Sequence, residues 1–262
     1  MERQSHFCTS ADGTRIAYLT SGEGPPLVLV HGVLADHDTA WRHVIPQFSE
    51  RFTVFAMDRR GRGGSGEPTD HSMERTWEDV VAVVEQAAGP ASVVGHSYGS
   101  HCVLGAASVT DQIHRLVVYE PPAPGKNPGG VAKLQALIEA DDRDGFVAAF
   151  LRLRPEQIER AKTRPQWQEW TRFAAATAQD RATYENYDYD PQRFGELSMP
   201  TLLLSGEKSP GPNKAATEEL ARALPKSRTV TFRDQGHFAM NTAPDLFVEV
   251  VTDFVLGSET VV

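Results

Sequence analysis

Between residues 27 and 119, short apolar runs alternate with segments of helical period. Leu27–Val30 is apolar at every position and follows Pro25-Pro26, as a strand buried on both faces requires. Phe52–Met57, Ser92–Val94 and Leu116–Tyr119 read as further strands. The spacing predicts helices over Thr39–Phe48, with Pro46 inside it, and over Thr76–Ala88 and Ser100–Ser108. In Thr76–Ala88 the apolar stripe is Val80, Val81, Val83, Val84 and Ala87. Thr76 and Asp79 have Thr-x-x-Asp capping spacing, and Gly89-Pro90 closes the segment. Upstream, His6–Ser10 and Ile16–Thr20 flank an Ala-Asp-Gly-Thr turn and predict a hairpin. Strand and helix in alternation predict βαβ units and a mostly parallel, doubly wound α/β sheet.

The pattern changes from Ala123 to Ser198, where only helical periodicity remains, broken at Gly125, Pro128, Gly129, Pro155, Pro165 and Pro191. Alternation resumes with a strand at Thr201–Leu204, a helix at Asn213–Ala223, a strand at Arg228–Phe232 and a closing helix at Ala243–Val255. The expected organisation is a core of residues 1–122 and 199–262, with a helical cap of residues 123–198 laid over the sheet edge. Aromatic residues gather in the cap. Trp167, Trp170, Phe173, Tyr184 and Tyr187 are the candidates to line a substrate pocket, two or three of them facing it.

Composition narrows the function classes. The 262 residues carry a net charge of −9, which argues against a broad nucleic-acid surface. The run Arg59, Arg60, Arg62 is too short to change that, and it lacks the Lys-Ser/Thr signature of a phosphate loop, so it reads as structural. Two cysteines, Cys8 and Cys102, make neither a disulfide framework nor a metal motif. The N-terminal segment has no apolar run, and no stretch approaches the roughly 20 apolar residues of a membrane span. A cytoplasmic protein with no membrane, metal or cofactor dependence is the expectation.

The chemistry gathers at the ends of the expected strands. Gly95-His96-Ser97-Tyr98-Gly99 sits between a strand and a helix, where a sharp turn lifts the Ser97 hydroxyl clear of the backbone. A hydroxyl needs an adjacent base to attack at neutral pH. Gly236-His237-Phe238 follows the last strand and reaches the same carboxyl edge of a parallel sheet, so His237 is the candidate base. His31-Gly32-Val33-Leu34 ends the central strand. Main-chain N–H groups of Val33 and Tyr98 are the candidate oxyanion donors, and His31 reads as a structural hydrogen-bonding residue.

The His-Gly strand end, the segment Asp58-Arg59-Arg60-Gly61-Arg62-Gly63-Gly64-Ser65-Gly66, the serine turn, the cap and the late Gly-His together resemble the α/β-hydrolase superfamily. The likeness covers nearly the whole chain except the cap. It implies a Ser–acid–His triad with the acid as Gly-x-x-Asp after the first strand beyond the cap. There the chain reads Gly206-Glu207-Lys208-Ser209, and Ser209 occupies the acid position. Serine cannot stabilise an imidazolium by charge. Glu120 ends the strand before the cap, ahead of Pro121-Pro122, and is the expected acid; Glu207 is the alternative. An acid after this strand is similar to the arrangement in some haloalkane dehalogenases. Paired with serine, it is similar to zearalenone-type lactone hydrolases.

The expected activity is hydrolysis of a carboxylic ester or lactone through an acyl-enzyme, on a small hydrophobic substrate such as a macrocyclic lactone of the zearalenone kind. The same residues would also serve acyl transfer, perhydrolysis, C–C bond hydrolysis or cyanohydrin cleavage. A ligand-binding receptor of the same fold is the third possibility.

Overall fold

The computed structural model describes residues 3–122 and 127–257. Ala123 and Gly125, the expected start of the cap and one of its breaks, lie outside the described residues. Eight strands form one sheet: β1 (Arg3–Thr9), β2 (Arg15–Ser21), β3 (Pro26–Val30), β4 (Thr53–Met57), β5 (Ala91–His96), β6 (Ile113–Tyr119), β7 (Thr201–Gly206) and β8 (Ser227–Phe232). Their order is β1-β2-β4-β3-β5-β6-β7-β8. β1 pairs with β2 and β2 with β4 antiparallel; every other pairing is parallel.

The continuous apolar runs follow from burial on both faces. In β3, Val28 and Val30 join one core cluster and Leu27 and Leu29 the other. In β6, Leu116 and Val118 face the first, Val117 and Tyr119 the second. Period-2 alternation is still present, but both sides are covered by helices, so it leaves no polar trace.

The helices of the first half are α1 (His37–Trp41), α2 (Ile45–Phe48), α3 (Met73–Val84) and α4 (Tyr98–Ala107). Two expectations are corrected here. The Thr39–Phe48 helix is two short ones, because Pro46 lies in the first turn of α2, where its missing N–H breaks no helical bond. Thr76 does not cap α3, which begins at Met73 and ends at Val84; the Thr76 hydroxyl donates to the Met73 carbonyl at 2.6 Å. Asp79 turns inward and accepts two bonds of 2.6 Å from Arg60. A buried guanidinium outranks a helix terminus as a partner for that carboxylate.

Between β6 and β7 lie α5 (Pro128–Glu139), α6 (Arg143–Phe150), α7 (Pro155–Lys162), α8 (Pro165–Arg172), α9 (Ala174–Asn186) and a 3-10 turn at Pro191–Phe194. Phe146, Val147, Trp167, Ala174 and Ala178 form a small core of their own there, which takes in Leu34 from the sheet side. After β7 come α10 (Gly211–Ala223), α11 (Ala239–Thr242) and α12 (Pro244–Leu256). No described helix is long and apolar enough to cross a membrane.

The arginine loop after β4 is structural. Arg59 reaches both oxygens of Asp180 on α9 at 2.6 Å, and Arg62 also bonds Asp180. All three residues are buried. Burial pushes the Arg62 pKa down to about 10 against the pull of Asp180, so the group stays charged at neutral pH. One carboxylate thus serves two buried cations and fastens the α5–α9 layer to the sheet. Asp180→Ala removes the acceptor of both, and the expected loss of stability is about 3–5 kcal/mol. Urea unfolding of the variant measures it; a loss below about 1 kcal/mol would show that the cluster does not hold the two layers together.

Candidate active site

Three non-glycine residues with positive φ converge on one end of the sheet: Leu34 (52°), Ser97 (53°) and Glu120 (48°). Such residues are rare, and their concentration marks a strained place. Ser97 occupies the turn between β5 and α4, with ψ −123°. The turn is possible because its flanks are glycine. A Cβ on Gly99 would stand 2.4 Å from the Val30 carbonyl oxygen, and one on Gly95 would stand 2.6 Å from the Gly99 carbonyl oxygen. The Ser97 N–H donates to the Tyr119 carbonyl at 2.9 Å, which ties the turn to β6.

Glu120 is fully buried at the end of β6. Its Oε1 accepts from the Gly206 N–H at 2.6 Å, and its Oε2 lies 2.6 Å from His237 Nδ1. Burial by itself raises the carboxyl pKa. The bonds from His237 and Gly206, with the Ser209 hydroxyl nearby, outweigh that and hold it below the ordinary carboxylate value. An ionised carboxylate on Nδ1 keeps the proton there and leaves Nε2 free to act as base.

Glu207 is engaged elsewhere: it is exposed, and its carboxylate accepts from the Asp234 N–H at 2.8 Å. Ser209 is buried. The position at which the resemblance implies an Asp therefore lies inside, beside the carboxylate that β6 supplies.

The His237 loop has a support that the sequence pattern did not single out. The Tyr119 hydroxyl donates to the Gly236 carbonyl and accepts from the Ala239 N–H at 3.1 Å. A phenol one residue before Glu120 thus clamps the backbone on both sides of His237. The His96 ring lies 4.6 Å from that of His237, and its Nε2 donates to the His237 carbonyl at 2.8 Å. Burial and the nearby His237 drive the His96 pKa well down, so it is a neutral donor and a brace.

On the opposite side, β3 delivers His31-Gly32-Val33. A Cβ on Gly32 would stand 3.0 Å from the Ser97 Cβ, so the main chain passes directly against the serine. His31 is fully buried and donates from Nδ1 to the Gly32 carbonyl at 2.7 Å, while Nε2 accepts from the Arg59 N–H at 3.1 Å. Its role is to shape the loop. Tyr98 opens α4 immediately after the serine; its side chain is buried, with the Arg59 guanidinium 4.3 Å from the ring centre.

Ser97, His237 and Val33 line a cavity of about 1300 Å³ between the sheet edge and the α5–α9 layer. Leu134, Phe150, Leu151 and Trp170 supply apolar wall, and half-exposed Phe238 stands beside His237. The expectation for the cap aromatics is corrected: of the five, only Trp170 lines this cavity. Trp167 is buried in the helical layer's own core, with its indole N–H on Asp144 at 2.6 Å. Tyr184 and Tyr187 belong to the core on the sheet, where the Tyr184 hydroxyl donates to the Pro122 carbonyl at 3.0 Å. Phe173 is buried under the Arg172 guanidinium. A layer of five short helices has little interior of its own, so most of its large side chains go to holding it together.

Among the described residues, no group of three or more His, Cys, Asp or Glu side chains is placed to hold a metal ion. The arrangement is that of a hydroxyl at a strained turn, an imidazole with a carboxylate on its far nitrogen, and main chain pressed against the hydroxyl.

Known proteins resemble this chain in sequence and fold. A crystal structure of an alpha/beta hydrolase from Sphaerobacter thermophilus superposes with a TM-score of 0.85 at 33% identity, covering 95% of this chain and all of that one. The 2-(acetamidomethylene)succinate hydrolase of Mesorhizobium japonicum is 23% identical, over 89% of each chain. The 2-hydroxy-6-oxo-6-(2'-aminophenyl)hexa-2,4-dienoic acid hydrolase of Metapseudomonas resinovorans is 26% identical over 94% of this chain and 89% of that one. The model of the Alpha/beta hydrolase family matches residues 27–250. The chain belongs to that family.

Proposed function

We propose that the chain is a cofactor-independent serine hydrolase that cleaves carboxylic esters or lactones through an acyl-enzyme. The observation that carries this reading is the 2.6 Å contact between Glu120 and His237 Nδ1, in the cavity onto which Ser97 opens. Ser97 Oγ attacks the carbonyl carbon while His237 Nε2 takes its proton. The oxyanion is received by the N–H groups of Val33 and Tyr98. The C–O bond then breaks, and His237 returns the proton to the leaving alkoxide. Water repeats the sequence on the acyl-enzyme, releasing the acid and restoring Ser97. In a lactone the alcohol and acid leave as one molecule. Residues 123–198 act as a lid that shapes the cavity.

The volume and the apolar wall suit a substrate larger than a simple acetate ester, and a macrocyclic lactone such as zearalenone is within that size. The relatives named above include one whose name denotes a hydrolase of a dienoic acid. C–C bond hydrolysis by the same three residues is therefore the second reading, ahead of acyl transfer, perhydrolysis and cyanohydrin cleavage. One experiment separates them: activated esters, a macrocyclic lactone and a vinylogous diketone are incubated in ¹⁸O-labelled water, and acid-quenched protein is examined by mass spectrometry. Ester turnover with one ¹⁸O in the acid product and an acyl adduct on Ser97 is expected. Diketone cleavage without ester turnover would move the assignment to the second reading.

A further inference from the structure

We infer that the cavity takes a substrate bearing a carboxylate on the part held by the α5–α9 layer, away from the bond that is cut. The inference rests on the reading of the site as an ester or lactone hydrolase. Lys133, Arg152, Arg164 and Arg181 line the cavity, and among the described residues Glu169 is the one carboxylate on its lining. Glu169 is already engaged: it accepts from Arg42 Nη2 at 2.8 Å. Among the described residues, none of the four cations takes part in a salt bridge. The chain as a whole is acidic, at −9. Four unpaired cations around one concave surface of such a chain are a local reversal of its charge.

Their placement gives the reversal a direction. Lys133 is on α5 and Arg181 on α9, Arg152 follows α6, and Arg164 immediately precedes α8. All four come from the helical layer, whereas Ser97 and His237 come from the sheet edge. A substrate whose carbonyl meets Ser97 therefore presents its other end to the cations. Leu134, Phe150 and Leu151, on the same layer, give that substrate an apolar body. Arg152 also adopts φ 52°, a left-handed conformation that favours glycine at a helix end. A neutral ligand would leave the cationic wall unmatched; a carboxylate meets it with charge-assisted bonds.

The test uses a matched pair, mono-4-nitrophenyl adipate and its methyl ester, identical except for one charge. Binding to Ser97→Ala is measured by calorimetry, and turnover is measured with the native chain. The acid is expected to bind about tenfold tighter than the methyl ester at low ionic strength. That preference is expected to shrink severalfold between about 0.05 M and about 0.5 M salt. Arg152→Gln with Arg181→Gln should bring the ratio of the two affinities towards one. Arg154→Gln, exposed beside Glu156, should leave the ratio as it is. Equal affinities for acid and methyl ester in Ser97→Ala overturn the inference, whatever the turnover. Tighter binding of the acid without turnover of either ester leaves the carboxylate site standing and sinks the hydrolase reading.

Discussion

Ser97→Ala is expected to abolish ester hydrolysis, with kcat falling roughly 10⁶-fold and no change of fold. The change deletes one oxygen at a residue that is 8% exposed, so no cavity opens in the core. Alanine must still adopt the φ of 53° that Gly95 and Gly99 make room for, so the backbone demand on the site is unchanged. A serine-directed fluorophosphonate should label the native chain at Ser97 and leave the variant unlabelled, read by peptide mass spectrometry. Substantial turnover by a clean preparation of Ser97→Ala, freed of contaminating esterase, would remove the serine from the mechanism.

Glu120→Gln carries the second largest expected effect. The amide keeps the shape of the carboxylate, and its oxygen still accepts from one donor. It brings no charge, and its NH₂ favours the histidine tautomer with the proton on the wrong nitrogen. The expected fall in kcat is up to about 10⁴-fold, with KM changing much less. Glu207→Gln should cost little, because that carboxylate bonds the Asp234 N–H at the surface instead. A second readout is acid stability. The Glu120 pKa is held below its ordinary value, so its contribution to stability is complete above the unfolded value of about 4.3 and is lost as pH falls through the lower folded value. Glu120→Gln should flatten that part of the acid unfolding curve. Full activity in Glu120→Gln, with Glu207→Gln inactive, would return the acid to the strand beyond the helical layer.

The residues differ in how far they can be read from the chain alone. Gly95-His96-Ser97-Tyr98-Gly99 is legible because each position answers a local demand: two glycines where main chain crosses main chain, and a serine at the strained centre. The buried strands are legible because coverage on both faces leaves an uninterrupted apolar run. Helix starts are less legible, since α3 begins at Met73 while the apparent capping pair Thr76 and Asp79 points elsewhere. What draws Asp79 away is Arg60, a partner 19 positions distant, and capping spacing carries no information about such a contact.

Local order along the chain determined the strand and helix alternation, the helical segment between β6 and β7, and the serine turn, because each depends on neighbours within a few residues. Together with the family resemblance, which implies an acid where Ser209 stands, it also left Glu120 and Glu207 as the candidate acids. Only the tertiary structure decided which groups meet. Glu120 and His237 are 117 residues apart and touch because β6 and the loop after β8 end at one edge of the sheet. The Tyr119 clamp on Gly236 and Ala239, and the service of Asp180 to two arginines, are likewise long-range. The cap aromatics show the same division. Their sequence marks them as large and apolar, a property shared by core and pocket residues alike. Whether a given ring faces its own layer, the sheet or the cavity depends on the packing of the five helices around it, and of the five candidate rings that packing put only Trp170 on the cavity wall, where Phe150, not among the candidates, joins it.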